Sequence, residues 1–206
     1  MVLEIPEVVI NRLPTYARAL ATLAENGEAV VSSQALGEAL DVTPAQIRKD
    51  LSYFGRFGKQ GRGYNVQSLL ARLREILGLD RQWHVCVVGV GRLGQAIVEY
   101  GGFEPQGFKI LAAFDSNPEL EGRSIGNLSV QNLDELGAFL AERPVDIGIV
   151  AVPAENTQEI VDRLVSGGVR AVLNYAPTTP HVPAEVSIRN IDPVLAMQSM
   201  TYYLKL

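Results

Sequence analysis

The segment HVCVVGVGRLGQA, residues 84–96, decides the fold of the larger part of this 206-residue chain. A β-branched, apolar run typical of a buried strand leads into Gly89, Gly91 and Gly94, and a helix-forming sequence follows. In such a G-x-G-x-x-G pattern the first glycine permits a tight turn, and the second lets the backbone approach a pyrophosphate. The third allows close packing of helix on strand, and the free N–H groups of the helix attract the anion. The segment therefore predicts a parallel α/β fold with a dinucleotide-binding loop, made of Gly89, Val90, Gly91, Arg92, Leu93 and Gly94.

An acidic residue follows this loop at a suitable distance. The apolar segment FKILAAFD ends a second predicted strand at Asp115, 21 residues beyond Gly94. A carboxylate there can accept hydrogen bonds from ribose hydroxyls and repels a 2′-phosphate, so the pattern favours NAD(H) over NADP(H). Arg92 either pairs with the pyrophosphate or lies in solvent. A related fold that binds CoA or another nucleotide stays open as an alternative.

Strands and helices alternate through the rest of the chain. The segments VDIGIVAVP, VRAVLNYAP and VSIRNID are predicted strands, and LDELGAFLAER and TQEIVDRLVSGG are predicted helices. This alternation predicts a parallel sheet with right-handed crossovers, whose ligands bind outside the carboxyl ends of the strands. Two strand ends are therefore predicted cofactor contacts, although each can also be an ordinary turn: Ala151, Val152, Pro153, Asn174, Tyr175 and Ala176.

The N-terminal part is predicted to be helical. Apolar residues recur at helical spacing over residues 6–27, and Pro14 predicts a helix start or kink near residue 13. The segment SQALGEAL forms a short helix capped by Ser32 or Ser33. Its inward face is predicted to hold Leu36, Ala39 and Leu40.

A second short helix follows after the turn DVT. Thr43 is its predicted N-cap, and Gln46 stands three residues later in a capping-box pattern. Two short helices joined by so tight a turn predict a helix-turn-helix. Ile47, Leu51 and Phe54 are expected to be buried. The outward residues are of types that meet phosphates and base edges: Gln46, Arg48, Lys49, Ser52 and Tyr53.

Basic residues are concentrated around this helix. Residues 42–74 hold seven Lys and Arg and one acid, although the whole chain has a formal charge of −5. The glycine-rich segment GKQGRGYNV predicts a hairpin, or wing, with Lys59 and Arg62 near its tip. Two adjacent basic elements predict a nucleic-acid surface. The alternative is a solvated basic face on a structural helix pair.

Composition narrows the remaining possibilities. A single cysteine, Cys86, excludes an intrachain disulfide, and no signal pattern or long apolar run is seen, so we expect a cytoplasmic protein without a membrane span. The chain has only two histidines, His84 and His181, and shows no metal-ligand cluster. Because no acid–base pair is evident, we expect neither a metal site nor an enzyme. An NAD-dependent oxidoreductase with an accessory helical domain is the alternative.

The chain ends with the segment DPVLAMQSMTYYLKL, which predicts an apolar helix capped by Asp192. The apolar surface of such a helix is expected to be buried, either against its own sheet or, as we prefer, against a second subunit. We therefore predict a winged-helix domain at residues 1–78, a Rossmann domain at 79–191 and a dimerisation helix at 192–206.

Taken together, IRKDLSYFG, GKQGRGYNV, VVGVGRLGQA, FD and LNYAP resemble the Rex family of bacterial redox-sensing transcriptional repressors. The resemblance covers nearly the whole chain. It implies a homodimer with N-terminal winged helices, C-terminal Rossmann domains and a last helix that swaps into the partner. It also implies repression from a palindromic operator, release by NADH and competition by NAD+.

The resemblance also assigns roles to single positions. The recognition helix is placed at residues 43–54, the wing at 58–66 and the cofactor loop at 89–94. Arg18, Tyr100 and Asp192 match the positions of a polar switch between the domains. Pro193 departs from the family pattern, in which a larger apolar residue often follows the aspartate.

Overall fold

The computed structural model describes residues 5–57 and 63–205, and the chain forms two compact units that divide after Arg81. The described part of the first unit contains helices and one small antiparallel sheet. Its elements are α1 (Glu7–Glu25), β1 (Val30–Val31), α2 (Ser33–Leu40), α3 (Pro44–Ser52), β2 (Tyr64–Asn65) and α4 (Val66–Ile76).

Helix α1 buries one apolar face and packs on α4. Leu13, Tyr16 and Leu20 lie on this face and are each at most 1% exposed. The helix begins at Glu7 and runs through Pro14, so the expectation of a start near residue 13 is wrong. Pro14 lies on the exposed face, where water can satisfy the carbonyl oxygen of Ile10 that a proline leaves unpaired.

Helices α2 and α3 form the predicted helix-turn-helix. Ser32 caps α2 through its Oγ, which accepts the N–H of Ala35, and Thr43 caps α3 by accepting the N–H of Gln46 at 3.2 Å. The tight turn depends on Gly37, because a Cβ there would overlap the carbonyl oxygen of Val42.

Two expectations for these helices are wrong. Ala39 is exposed, and the buried position beside Leu36 is taken by Gly37. The side chain of Gln46 does not complete a capping box but turns to Asp50.

The predicted wing is described only in part. Tyr64 and Asn65 form β2, which pairs with β1, a strand that the sequence did not predict. Residues 58–62, which include Lys59 and Arg62, lie outside the described residues. Asn65 also caps α4 by accepting the N–H of Ser68.

The second unit is built on a seven-stranded sheet in the order β5-β6-β4-β3-β7-β8-β9. All neighbours pair in parallel except β5 and β6, which form an antiparallel edge. From β6 to β9 this is the 3-2-1-4-5-6 order of a Rossmann fold. The elements are β3 (Trp83–Val88), α5 (Arg92–Glu99), β4 (Phe108–Asp115), β5 (Ser124–Ile125), β6 (Leu128–Asn132), α6 (Leu136–Glu142), β7 (Ile147–Val150), α7 (Thr157–Ser166), β8 (Ala171–Asn174), β9 (Ser187–Asn190) and α8 (Pro193–Tyr203).

The sheet is buried on both faces, as a parallel sheet requires. Cys86 and Val88 of β3 belong to the core beneath α6 and α7, whereas Val85 and Val87 pack with Ile97 of α5. Strands β5 and β6 were not predicted, because their segment alternates weakly and is rich in Ser, Asn and Gly.

Helix α8 buries none of its residues. Seven of the large apolar side chains in residues 194–204 are more than half exposed: Val194, Leu195, Met197, Met200, Tyr202, Tyr203 and Leu204. The alternative in which α8 packs on its own sheet is therefore wrong. Among the helices of the described residues, none combines the length and apolar character needed to cross a membrane.

Candidate dinucleotide crevice and nucleic-acid face

The three glycines of the loop after β3 have different surroundings. Gly89 has a φ of +92°, and a Cβ there would lie 2.5 Å from the carbonyl oxygen of Ala151. A Cβ on Gly94 would overlap the carbonyl oxygen of Gly89, so this glycine sets how closely α5 approaches β3. A Cβ on Gly91 would meet no atom within 4 Å. The first and third glycines are therefore required by the fold, whereas the second leaves an open space at the N-terminus of α5.

Asp115, at the end of β4, holds the same loop. Its Oδ2 accepts the N–H of Val90 at 2.6 Å and its Oδ1 accepts the N–H of Asn117 at 2.8 Å. Gln95 also donates to the carbonyl oxygen of Val90 at 3.0 Å. The carboxylate thus orders the glycine loop, and its remaining lone pairs are available to a ligand.

A crevice of about 420 Å³ opens at the carboxyl ends of the central strands. It lies where the strand order reverses between β3 and β7, which is the usual ligand position in such sheets. Six predicted cofactor residues line it: Gly89, Gly91, Asp115, Ala151, Val152 and Pro153.

Sequence reasoning missed the other residues that line this crevice. They are Val88, Ser116, Leu133, Asp134, Asn156, Glu159, Ile160 and Arg163. Leu133 and Asp134 follow β6, so recognising that strand would have indicated them. Nη2 of Arg163 donates to the carbonyl oxygen of Leu133 at 2.6 Å, which ties α7 to this strand end. The lining combines the apolar Leu133 and Ile160 with three charged residues, Asp134, Glu159 and Arg163.

The predicted cofactor residues at the end of β8, Asn174, Tyr175 and Ala176, are not among the residues that line the crevice. Asn174 is fully buried, and its Nδ2 lies 2.8 Å from the carbonyl oxygen of Thr178 and 2.9 Å from Oδ1 of Asn190. Its own Oδ1 accepts the N–H of Ala176. The side chain therefore fixes the loop from β8, and it brings Tyr175 and Ala176 into their half-buried and buried positions.

Val90 of the loop is fully buried, whereas the other side chains of the loop and the switch residues lie at the surface. Arg92 and Leu93 are exposed in the first turn of α5, beside the open space at Gly91. Tyr100 is 61% exposed, and its ring contacts Phe103 edge to face. Asp192 caps α8 by accepting the N–H of Val194 at 2.8 Å. Arg18 is exposed on α1 in the other unit.

Helix α3 presents a polar surface. Arg48, Lys49 and Ser52 are exposed, and Gln46 and Tyr53 are half-buried. Nη1 of Arg48 donates to Oγ of Ser33 at 2.8 Å, so this cation is held over the start of α2. The arrangement suits phosphate binding by Arg48 and leaves Lys49 available to reach further.

Beneath this surface lies a buried carboxylate. Asp50 is 0% exposed and accepts hydrogen bonds from Nε and Nη2 of Arg12 at 2.6 and 2.8 Å and from the hydroxyl of Tyr16 at 2.7 Å. Burial alone would raise the pKa of Asp50, but the bonds from Arg12, Tyr16 and Gln46 outweigh it and hold the pKa below its ordinary value. The same bond to Asp50 raises the pKa of Arg12, and burial, reinforced by that carboxylate, raises the pKa of Tyr16 to about 12. The network fixes α3 on α1.

Neither a metal-ligand cluster nor a reactive cysteine is found in the described residues. Within residues 5–57 and 63–205, no cluster of three His, Cys, Asp or Glu could hold a metal ion. Burial raises the pKa of the Cys86 thiol to about 12, so it is a poor nucleophile. His84 lies with Nδ1 3.2 Å from the carbonyl oxygen of Pro144, away from the crevice.

Comparisons with known proteins agree with this geometry. Residues 4–52 match the family model "Putative DNA-binding protein N-terminus", and residues 80–178 match the model "CoA binding domain". The redox-sensing transcriptional repressor Rex of Roseiflexus sp. (strain RS-1) is 55% identical over 98% of this chain and 91% of its own length. That of Streptomyces coelicolor is 41% identical over 97% of this chain and 77% of its own. The chain belongs to the Rex family.

Solved structures of the Rex family have the same fold. The crystal structure of RSP in complex with beta-NAD+ and operator DNA matches with a TM-score of 0.93 and 40% identity, over 98% of this chain and 93% of that one. RSP in complex with beta-NADH matches with a TM-score of 0.88 and 39% identity, over 97% and 93%. The predicted winged helix-turn-helix followed by a Rossmann-like sheet is confirmed. The oxidoreductase alternative is wrong, because these Rex relatives are named repressors over nearly the full chain.

Proposed function

We propose that this Rex-family chain represses transcription from a palindromic operator and leaves it when NADH binds. The observation that carries the proposal is the presence, in one chain, of an exposed cationic α3 and a crevice with an open loop at Gly91. Structures of the relative RSP contain NAD+ with operator DNA, and NADH. If both ligands compete for the same crevice, binding of the chain to DNA depends on the cellular NADH/NAD+ ratio.

The residues of the crevice fit NAD(H). A pyrophosphate can occupy the space that a Cβ on Gly91 would fill, next to the N–H groups at the start of α5. Asp115 would accept the ribose hydroxyls while still holding Val90, and its charge disfavours a 2′-phosphate. The apolar side chains of Leu133 and Ile160 would bind the adenine. Arg92 and Leu93, which are exposed at the loop, would face the rest of the ligand.

The DNA contacts are assigned to α3 and the wing. Arg48, held on Ser33, would bind phosphate, and Lys49 would reach the major groove. Ser52 and Tyr53 lie at the end of the same helix. Lys59 and Arg62 remain predicted contacts of the wing with backbone or minor groove.

A homodimer accounts for helix α8. Its exposed apolar side chains need a partner surface, and we infer that a second subunit supplies it. A twofold axis would also present two recognition helices to the two half-sites of a palindrome. We assign residues 1–78 to DNA binding, 79–191 to NAD(H) binding and 192–206 to dimerisation, and we place the protein in the cytoplasm.

The proposed switch needs no reaction. The nicotinamide ring is positively charged when oxidised and neutral when reduced, so a crevice can bind the two forms differently in different arrangements of the units. A ligand shifts such an equilibrium only by its differential affinity for the two states. Arg18, Tyr100 and Asp192 are the polar groups that we expect to change partners.

Two variants test DNA binding and release by NADH separately. Fluorescence anisotropy of a labelled inverted-repeat duplex measures DNA binding by the full chain, with NADH and NAD+ titrated separately. Lys49→Ala should weaken duplex binding while NADH binding stays unchanged. Asp115→Ala should impair release by NADH while duplex binding without ligand stays near wild type. A wild-type chain that binds no duplex, or that reduces NAD+ with alcohols or oxidises NADH with carbonyl compounds, would overturn the proposal.

A further inference from the structure

The side chain of Gln46 is held in one orientation by the buried carboxylate beneath it. Nε2 of Gln46 donates to Oδ1 of Asp50 at 2.6 Å, one turn further along α3. Asp50 is fixed in turn by Arg12 and Tyr16 of α1. The amide at the surface of the recognition helix is therefore anchored through a network that does not depend on DNA.

The chemistry of Asp50 decides which end of the amide points inward. An ionised carboxylate only accepts hydrogen bonds, so the nitrogen of Gln46 must face it. A reversed amide would place Oε1 against a buried negative charge and lose a charge-assisted bond. The guanidinium of Arg12 keeps Asp50 ionised. Gln46 therefore cannot exchange its donor and acceptor ends as a free glutamine does.

The outer edge of the amide is left available. Oε1 of Gln46 has no hydrogen-bond partner among the described residues. Every buried side-chain oxygen in these residues does have a partner. Oε1 is therefore accessible to solvent. Nε2 has a second N–H besides the one bonded to Asp50, so the amide still offers one acceptor and one donor.

We propose that Gln46 is a specificity-determining residue that reads an adenine in the major groove, and that Asp50 fixes its choice of adenine over guanine. The inference rests on the proposed function, in which α3 enters that groove. Adenine presents the N6 amino donor and the N7 acceptor, which complement the free edge of Gln46. Guanine presents two acceptors, O6 and N7, and would set O6 against Oε1.

The test compares base preferences of the full chain and its variants. Wild-type protein without ligand selects duplexes from a library with a randomised centre, and each adenine of the resulting half-site is then changed to guanine. At one adenine, the wild type should lose roughly tenfold or more in affinity. Gln46→Ala should bind adenine and guanine duplexes equally at that position and keep its preference at the others.

Matched variants and a modified base sharpen the result. Lys49→Ala, on the same face but without a bond to Asp50, should keep the adenine preference. Tyr16→Phe removes one bond from Asp50 but leaves its charge, and should keep it too. Replacement of the adenine by 7-deazaadenine, which lacks the N7 acceptor, should weaken the wild type and leave Gln46→Ala unaffected.

Two kinds of failure can be told apart. If Gln46→Ala selects the same half-site as the wild type with the same preferences, the inference is overturned and the proposed function stands. The inference is also overturned if the position at which Gln46→Ala loses its preference is one where the wild type prefers a G·C pair. If the wild type selects no duplex at all, the proposed function fails together with the inference.

Discussion

Replacement of Gly91 by alanine separates ligand binding from folding. Gly91 has a φ of −68°, which alanine adopts without strain, and a Cβ there meets no atom within 4 Å. The variant should therefore fold as the wild type does, with a gain of up to about 1 kcal/mol from the loss of glycine flexibility. The added methyl group occupies the space next to the N–H groups at the start of α5. If the methyl group displaces the pyrophosphate, the loss of each charge-assisted hydrogen bond costs about 1.5–3 kcal/mol of binding free energy. NADH binding should therefore weaken by about tenfold or more.

Two further alanines provide the controls. Gly137 in α6 is equally open and lies away from the crevice, so Gly137→Ala should retain both stability and NADH affinity. Gly94→Ala must push α5 from the Gly89 carbonyl and should lower the unfolding temperature. Calorimetric titration with NADH measures affinity, and thermal unfolding without ligand measures stability. If Gly91→Ala bound NADH as tightly as the wild type with an unchanged unfolding temperature, the assignment of the loop to the pyrophosphate would be refuted.

Three other sets of measurements test separate contacts. Asp50→Asn should lower the free energy of unfolding of the first unit by about 3 kcal/mol, because it leaves Arg12 without its buried partner. Tyr16→Phe removes only one bond and should lower that free energy by less. Equal decreases for the two variants in urea unfolding would contradict the network. Because the pKa of Asp50 is lowered, its contribution is complete above its ordinary pKa and is lost as pH falls through the lower native value, so acid should destabilise the wild type more than Asp50→Asn. Asp115→Asn should narrow the preference for NADH over NADPH in calorimetric titrations, and an unchanged ratio would argue against a ribose contact. Cys86 should react with a thiol reagent at pH 8 only after unfolding, since burial raises its pKa to about 12; rapid reaction of the native chain would show that β3 is not buried as described.

Features with a local signal were predictable from the sequence. The caps at Ser32 and Thr43 and the glycine loop after β3 depend on residues close together in the chain, and the carboxylate at the end of β4 stands at a regular spacing from that loop. Their chemistry is specified by spacing alone: a hydroxyl before a helix, or glycines between a strand and a helix.

Features that depend on distant contacts were not predictable. Asp50 looked like the one acid of a basic helix, and only the fold brings Arg12 and Tyr16, more than 30 positions away, onto its carboxylate. The two-residue strand β1 is too short to show a period. Strands β5 and β6 lie at the sheet edge, where polar residues are tolerated, so their pattern is weak and the crevice wall that follows β6 was missed.

Asn174 shows a third limit. Its position at the end of β8 made it a reasonable cofactor contact, but its side chain bonds to the loop that follows and to Asn190 of β9. A strand-end asparagine can serve a ligand or the backbone, and the choice depends on where the next loop lies. The sequence pattern contains no information on that point.

The central claim is that the redox state of one dinucleotide controls the affinity of the chain for DNA. The most direct measurement is the fraction of an inverted-repeat duplex bound by the wild-type chain while the NADH/NAD+ ratio is varied at a fixed total concentration. The account predicts that the bound fraction falls as the ratio rises and recovers when the ratio is reversed. A bound fraction that stays constant across all ratios would contradict it.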